Sequence, residues 1–253
     1  MTKPSSDSEV NPFMGGLMKE IQIIDRSDMV SKLKQALVID PAKTAFVAID
    51  MHRGHLDPTV ATMPASEEDC RRVVSNTQRL FDFGRTLNIP IIHVILVHRE
   101  IPGLGSEAMK NAFWKSVQTT LAEDNRLSPG RKSTTRFHNL EGSVGTEIIP
   151  ELKAETDYVI NNKKRLDCFF GTDLETLLRT LGAETVVLTG INTNTCVLNT
   201  AFSAFNCDFQ VIVISDCVAS MYGDDLHILG LENVKRCLGH VLTIEEFMKK
   251  ISI

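Results

Sequence analysis

The chain has 253 residues, of which 43% are hydrophobic and 23% are charged, and its formal net charge is −5. These proportions are those of an ordinary globular protein, so they exclude a disordered, collagen-like or membrane-embedded character for the bulk of the chain. The acidic balance also argues against a nucleic-acid partner, because binding to phosphates requires clustered Lys and Arg. A chain of this length can form one α/β domain around a full hydrophobic core.

Residues 1–40 are predicted to be an N-terminal extension, and residues 41–253 a single domain. The first dozen residues are rich in Ser, Pro, Asp and Asn and lack the apolar segment of a signal peptide. No uninterrupted apolar stretch reaches the roughly 20 residues that cross a bilayer. The six cysteines show no CxxC spacing, which indicates free thiols in a reducing compartment. We therefore expect a cytoplasmic protein with no membrane partner.

Beyond the extension, apolar runs alternate with segments of helical periodicity. Strands are predicted at 44–49, 91–97, 158–161, 185–189, 210–215 and 237–242. Helices are predicted at 67–87, 172–181, 194–206, 229–235 and 244–250. Runs that are apolar on both faces and separated by helices are typical of a parallel sheet covered on both sides. The prediction is a three-layer αβα, doubly wound α/β domain with a mainly parallel six-stranded sheet.

Two segments depart from this alternation. The extension has room for a helix within residues 15–37, and residues 98–145 form a long insertion before the third strand. Long loops in compact domains are often functional lids or oligomer contacts, and we expect one of these roles for the insertion.

Polar residues follow four of the predicted strands. In an open parallel sheet the ligand crevice lies beyond the carboxyl ends of the strands, so these positions are the first candidates for a site. They read DMHR from Asp50, HRE from His98, NKKR from Asn162 and GINTNTC from Gly190. The turn after the first strand has neither GxGxxG nor GxxxxGK[ST], which disfavours the usual modes of nucleotide binding.

Cys196 is the most informative of these residues because it follows a polar turn and opens an apolar helix. The free N–H groups of a first helical turn would favour a thiolate there and could also bind an oxyanion. The alternative is an apolar buried thiol. Instead of a catalytic role, Asp50 could simply cap a turn, and Lys163 could be a solvated surface charge. Together the three supply the nucleophile, the proton acceptor and the cation that acyl transfer through a covalent intermediate requires.

Four segments in this order carry a resemblance to a known family: TAFVAIDMHRGHLDP, EGSVGTEIIPEL, NKKRLDCFFGTDLETLLRTLG and VVLTGINTNTCVLNTAFSAFNCDFQVIVISDCVAS. They resemble the isochorismatase-like cysteine hydrolases, a superfamily of nicotinamidases, N-carbamoylsarcosine, biuret and ureidoacrylate amidohydrolases, and isochorismatases. The resemblance covers about residues 42–245. It gives Asp50, Lys163 and Cys196 the catalytic roles, with Lys163 rather than Lys164 because Arg165 and Phe169 then match the motif.

The resemblance also implies a cis peptide bond between Ile191 and Asn192 and an oxyanion hole formed by the backbone N–H groups of Asn192 and Cys196. The implied reaction is cleavage of a C–N bond in a small amide, carbamoyl or ureido compound, without a cofactor. A homodimer or homotetramer is implied as well, and we expect the insertion and the extension at its contacts.

Three alternatives remain at this stage. An isochorismatase cleaves a vinyl ether and does not need the cysteine, so Cys196 favours C–N hydrolysis over this activity. A nicotinamidase would be expected to carry a metal-ligating Asp-x-His element after the second strand, where this chain has His98-Arg99-Glu100, so no metal is expected. A non-catalytic binding scaffold is disfavoured by the intact trio of Asp50, Lys163 and Cys196.

Candidates to bind the substrate are polar or aromatic residues near these strand ends. They are His52, Arg53, His55, Phe170, Asn192 and Tyr222. The density of imidazole and guanidinium groups beside Asp50 suits a polar substrate rich in carbonyl groups.

Overall fold

The computed structural model describes residues 24–108, 110–116 and 138–251. By its internal contacts the chain separates into two units, Met1–Ala36 and Leu37–Ile253. In the first unit the described part contains helix α1, Ser27–Ala36, which lies within residues 15–37, where the sequence has room for a helix. The second unit holds the α/β domain, and its buried Ile39 bridges Ile251 near the other end of the described chain.

The central sheet of the second unit has six strands, and every pairing between them is parallel. The strands are β1 Thr44–Ile49, β2 Ile91–Leu96, β5 Tyr158–Lys163, β6 Thr185–Ile191, β7 Gln210–Ala219 and β8 Gly239–Leu242. Their order is β5-β2-β1-β6-β7-β8, so the chain runs outward from β1 through β2 to β5 and then returns to the other side of β1. Such a reversal opens a crevice at the carboxyl ends of the strands beside β1.

Helices cover both faces of this sheet. They are α2 Arg53–Leu56, α3 Glu67–Thr86, α4 Leu174–Thr180, α5 Leu198–Asn206, α6 Asp224–Asn233 and α7 Ile244–Lys250. One face of β1 packs Phe46 against Phe81 of α3 and Phe247 of α7. The opposite face belongs to a second buried cluster that includes Val47, Leu178 and Ala201. The predicted three-layer α/β fold is confirmed.

Local signals explain where several of these elements begin. Ser66 caps α3 by accepting the N–H of Asp69, and Thr243 and Glu246 form a capping box at the start of α7. Helix α6 begins at Asp224, five residues earlier than the predicted 229. The sequence misses this start because α6 exposes Leu226 and Ile228, so its apolar residues do not mark a single buried face.

Only parts of the predicted 98–145 insertion lie within the described residues. A short antiparallel hairpin pairs β3, Glu100–Ile101, with β4, Gly105–Ser106. Residues 138–148 return to the sheet edge, where His98 and Leu140 form a bridge and His52 and Ile148 form another. This return segment therefore lies against the strand ends at which the sequence predicts a site.

Candidate active site

Asp50 lies directly after β1 and is fully buried. Its backbone has φ 53°, a left-handed conformation that Asp tolerates better than most residues. This conformation turns the chain out of the sheet, while the Asp50 N–H still donates to the Val94 carbonyl over 2.9 Å. The Leu96 N–H donates to Asp50 Oδ1 over 2.8 Å. One carboxylate oxygen is thus fixed by the backbone of β2, and the other is free to bond elsewhere.

Lys163 supplies the partner of that second oxygen. It is the last residue of β5, and its Nζ lies 2.6 Å from Asp50 Oδ2, with both side chains fully buried. Successive residues of a strand point to opposite sides, so Lys164 points away from Asp50. The Lys164 Nζ instead donates to the Val97 carbonyl over 2.6 Å and pairs with Glu107 over 2.7 Å. The register that assigns Lys163 to the site agrees with this geometry.

Cys196 approaches the pair from the neighbouring strand β6. Its side chain is only 4% exposed, and Lys163 Nζ donates to Cys196 Sγ over 3.4 Å. The segment Thr193–Val197 is a π-helical turn that leads into α5, and the peptide bond between Ile191 and Asn192 is cis. The Asn192 carbonyl accepts the N–H groups of Thr195 and Val197, so neither bond uses the N–H of Cys196. Turns of this kind are frequent at functional sites.

The protonation states of the trio follow from their mutual contacts. Burial opposes both charges, yet Lys163 holds the pKa of Asp50 below its usual value and Asp50 raises the pKa of Lys163. Burial raises the pKa of Cys196 to about 12, because the nearby Lys163 charge, which lowers it, does not offset the loss of solvation. At neutral pH the site therefore holds a carboxylate, an ammonium and a neutral thiol.

This protonation state differs from the thiolate that the first turn of an α-helix would favour at Cys196. That expectation relied on the free N–H groups of an α-helical first turn. The structure instead places Cys196 inside a π-helical turn, among buried groups that include the anionic Asp50, and desolvation dominates its pKa.

Alkylation of the ligand-free protein tests this protonation state. We expect iodoacetamide to modify the exposed Cys237 before the buried Cys196 at pH 8. The rate at Cys196 should rise with pH without a plateau below about pH 11, because a raised pKa keeps the thiol protonated through that range. Peptide mass mapping at a series of pH values measures both rates. A plateau for Cys196 below pH 8 would show a preformed thiolate.

A row of imidazoles adjoins Asp50. The ring centroids of His52 and His55 are 4.8 Å apart, and those of His55 and His138 are 4.9 Å apart. Burial lowers the pKa of His52 to about 3 and also lowers that of His55. His55 Nδ1 lies 2.8 Å from the Met63 carbonyl, so this nitrogen carries the proton and Nε2 carries the lone pair. The rings of His52 and His55 therefore offer hydrogen bonds rather than positive charge.

The return segment, residues 138–148, packs against α2 so closely that Gly54 has no room for a side chain. A Cβ on Gly54 would lie 2.3 Å from Asn139 Oδ1 and 2.9 Å from the Gly145 carbonyl oxygen. The other amide atom of Asn139, Nδ2, lies 3.2 Å from His52 Nε2. Gly54 thus permits the contact between Asn139 and His52.

Gly54→Ala is expected to destabilise the fold by about 1–3 kcal/mol, because the added methyl group overpacks this junction. Turnover should fall as well, since Asn139 is pushed away from His52. Gly145→Ala is the matched control, because a Cβ there would lie 3.6 Å from its nearest neighbour, an ordinary contact. Urea unfolding and steady-state kinetics measure both variants, and equal behaviour of the two would contradict the packing argument.

The whole arrangement can be compared with known proteins. The Isochorismatase domain model matches residues 44–246. The chain belongs to the isochorismatase family. It is 30% identical over 220 residues to the uncharacterized isochorismatase family protein YwoC of Bacillus subtilis, which covers 87% of this chain and 100% of YwoC. It is 21% identical over 230 residues to the ureidoacrylate amidohydrolase RutB of Rhizobium rhizogenes, which covers 86% of this chain and 87% of that protein.

The structure also resembles that of a cysteine hydrolase from Pseudomonas syringae pv. phaseolicola. The TM-score is 0.67 at 20% identity, over 85% of this chain and 94% of the other. The likeness supports the fold of the isochorismatase family.

The other candidates to bind a substrate occupy different environments. Arg53 is held in ion pairs with Asp57 over 2.9 Å and with Glu147 over 3.0 Å. Phe170 is 65% exposed on the segment after β5. The side chain of Asn192 is buried, and its Oδ1 accepts the Met221 N–H over 2.9 Å. Tyr222, which follows Met221 in the chain, is partly buried.

His138 and Asn139 extend the site beyond the residues that the sequence indicated. Both lie in the insertion, which has no periodic pattern, and Asn139 adopts a left-handed φ of 52°. A tandem of His and Asn at the end of an insertion is too common a pattern to single them out.

Within the described ranges, no group of three or more His, Cys, Asp or Glu residues is arranged to hold a metal ion. In the same part of the chain no helix is long and apolar enough to cross a membrane.

Proposed function

We propose that this isochorismatase family member hydrolyses a C–N bond of a small amide, carbamoyl or ureido compound through a covalent intermediate on Cys196. One observation carries the proposal. A thiol, an ammonium and a carboxylate lie side by side in one buried site. The ammonium is in the middle, with Lys163 Nζ 2.6 Å from Asp50 Oδ2 and 3.4 Å from Cys196 Sγ. Nucleophile, cation and base within hydrogen-bonding reach are the requirements of acyl transfer to a thiol.

Acylation begins when the substrate carbonyl binds next to Cys196. Asp50 accepts the thiol proton as the sulfur attacks the carbonyl carbon, and the carbonyl π electrons move to the oxygen. The tetrahedral intermediate collapses when the C–N bond breaks and Asp50 gives its proton to the departing nitrogen. The products of this half-reaction are ammonia or an amine and a thioester, or a thiocarbamate from a ureido substrate.

Deacylation uses the same groups in reverse order. Asp50 accepts a proton from a water molecule that attacks the thioester carbonyl, and Cys196 leaves with that proton as a thiol. Lys163 remains an ammonium throughout, because its pKa is raised, and it balances the charge that passes between Asp50 and Cys196. It is not the nucleophile, since its lone pair is protonated.

The backbone N–H groups of Asn192 and Cys196 are proposed to bind the oxyanion of both tetrahedral intermediates. The position of Cys196 in the π-helical turn supports this role, because the two hydrogen bonds to the Asn192 carbonyl come from Thr195 and Val197 and do not use the Cys196 N–H. Loss of one such donor typically costs about 10²–10³-fold in rate.

Vinyl ether hydrolysis is the second candidate activity, since isochorismatases share the fold. It does not need a thiol in contact with the lysine, and the placement of Cys196 against Lys163 therefore favours amide hydrolysis. The name of RutB, a ureidoacrylate amidohydrolase, points in the same direction.

A substrate panel tests the proposal. The panel contains ureidoacrylate, N-carbamoylsarcosine, biuret, nicotinamide and isochorismate, with release of ammonia or pyruvate as readouts. We expect ammonia from at least one amide or ureido compound and no pyruvate from isochorismate. Pyruvate without ammonia would overturn the proposal in favour of the ether hydrolase.

The protein is further proposed to act in the cytoplasm as a homodimer or homotetramer. Light scattering at micromolar concentration is expected to give a mass of two or four times 28.1 kDa. A mass near that of one chain would contradict the oligomer.

A further inference from the structure

The π-helical turn that carries Cys196 is held by hydrogen bonds from α6 and from the segment just before it. Asn192 Oδ1 accepts the Met221 N–H over 2.9 Å, and Asn194 Oδ1 accepts the Ser220 hydroxyl over 2.7 Å. The third contact joins Thr193 Oγ1 and His227 Nδ1 over 2.8 Å. Three of the four residues just before Cys196 are thus anchored by side-chain hydrogen bonds.

Helix α6 lies directly on the turn at this place. A Cβ on the buried Gly230 would approach Asn194 Cα to 3.2 Å, so backbone packs against backbone. His227 lies one helical turn before Gly230 and points in the same direction, whereas its neighbours Leu226 and Ile228 are exposed. The imidazole therefore reaches the turn from a rigid element, and side chains on helices are placed more precisely than those on loops.

His227 has a defined hydrogen-bonding state in this position. Burial lowers its pKa, and Arg72 lowers it further, while Asp69 and Asp224 oppose these effects. The ring is therefore neutral at neutral pH, and its Nδ1 either donates to the Thr193 hydroxyl or accepts from it, according to the tautomer. Arg72 is itself fixed, because it pairs with Asp69 over 2.5 Å and donates to the Asp216 carbonyl over 3.1 Å.

We infer that His227 is a positioning residue for the nucleophile, acting through Thr193 to hold the turn in the geometry that sets Cys196 against Lys163. His227 does not touch the reacting atoms in this role. The inference rests on the proposed function, because it assumes that Cys196 is the nucleophile. A displacement of about 1 Å at a reacting group can cost about 10²-fold in rate, so one lost anchor has a measurable effect.

The experiment compares His227→Leu, His227→Asn and Thr193→Val. We expect His227→Leu and Thr193→Val each to lower kcat by about 10–10²-fold with little change in KM, measured with the best substrate of the panel. The amide of Asn lies near the place of Nδ1, so His227→Asn should recover most of the loss. The double variant His227→Leu/Thr193→Val should be no worse than either single variant, because both remove one contact.

A substrate-free readout separates local positioning from general destabilisation. Loosening the turn should raise the alkylation rate of Cys196 at pH 9 several-fold, while the buried Cys70 and Cys217 stay protected. The exposed Ile228→Ala is the matched control on α6, with wild-type values expected. If His227→Leu fails to fold, Thr193→Val against Thr193→Ser makes the same comparison at the other end of the hydrogen bond.

Three results would overturn the inference: wild-type kcat in His227→Leu or Thr193→Val, additive losses in the double variant, or equal deprotection of all buried cysteines. The proposed function fails in a different way. In that case Cys196→Ala would keep its turnover, whatever the His227 variants do.

Discussion

Cys196→Ser is expected to lower kcat by about 10³-fold or more without a comparable loss of stability. The hydroxyl occupies nearly the same volume, but Asp50 must then accept a proton from a much weaker acid, and the lowered pKa of Asp50 makes that transfer still less favourable. Steady-state kinetics with the best substrate of the panel measure the effect, and thermal unfolding confirms that the fold is kept.

The exposed Cys237→Ser is the control and should behave as the wild type. Full turnover by Cys196→Ser and Cys196→Ala would exclude the covalent mechanism and favour ether hydrolysis.

The second large effect concerns the buried pair of Asp50 and Lys163. Asp50→Asn and Lys163→Met should each lower kcat by about 10³-fold or more, since one removes the proposed base and the other the charge that keeps this group ionised. Each should also destabilise the fold by about 3–5 kcal/mol, because a single replacement leaves one buried charge unpaired. Urea unfolding and kinetics measure the two effects separately.

The double variant Asp50→Asn/Lys163→Met distinguishes catalysis from structure. It should recover most of the stability, because no buried charge remains, and none of the activity. Lys164→Met is the control for the register, and it should lose only what a partly buried ion pair and one hydrogen bond to the Val97 carbonyl contribute, about 1–2 kcal/mol. Activity in the double variant, or its loss in Lys164→Met with retention in Lys163→Met, would contradict the assignment.

The sheet was largely predictable because its strands are short apolar runs between polar turns. The prediction gave β1 and α7 with the bounds that the structure has. Strand β7 extends to Ala219, beyond the predicted 215, because a register shift between Leu188 and Gly190 of β6 lets pairing resume at Val218. An apolar pattern does not reveal such an irregularity, since it depends on the partner strand.

The candidate site was predictable as far as strand ends determine it. Asp50, Lys163 and Cys196 lie after or at the end of three strands, and parallel topology brings those ends together. The protonation state of Cys196 was not predictable, because it depends on burial and on a π-helical turn that the sequence GINTNT does not distinguish from an α-helical start. The contact of Asn139 with His52 joins residues 87 positions apart through an insertion without periodicity.

The most direct test of the account is a search for the acyl group on Cys196. The enzyme is mixed with the best amide or ureido substrate of the panel, quenched with acid within the first turnover, and analysed by peptide mass mapping. The account predicts that the peptide containing Cys196 gains the mass of the acyl or carbamoyl group, and that this mass disappears when the substrate is exhausted. Ammonia released in the first turnover while Cys196 keeps its unmodified mass at every time point, with the acyl product already free in solution, would contradict it.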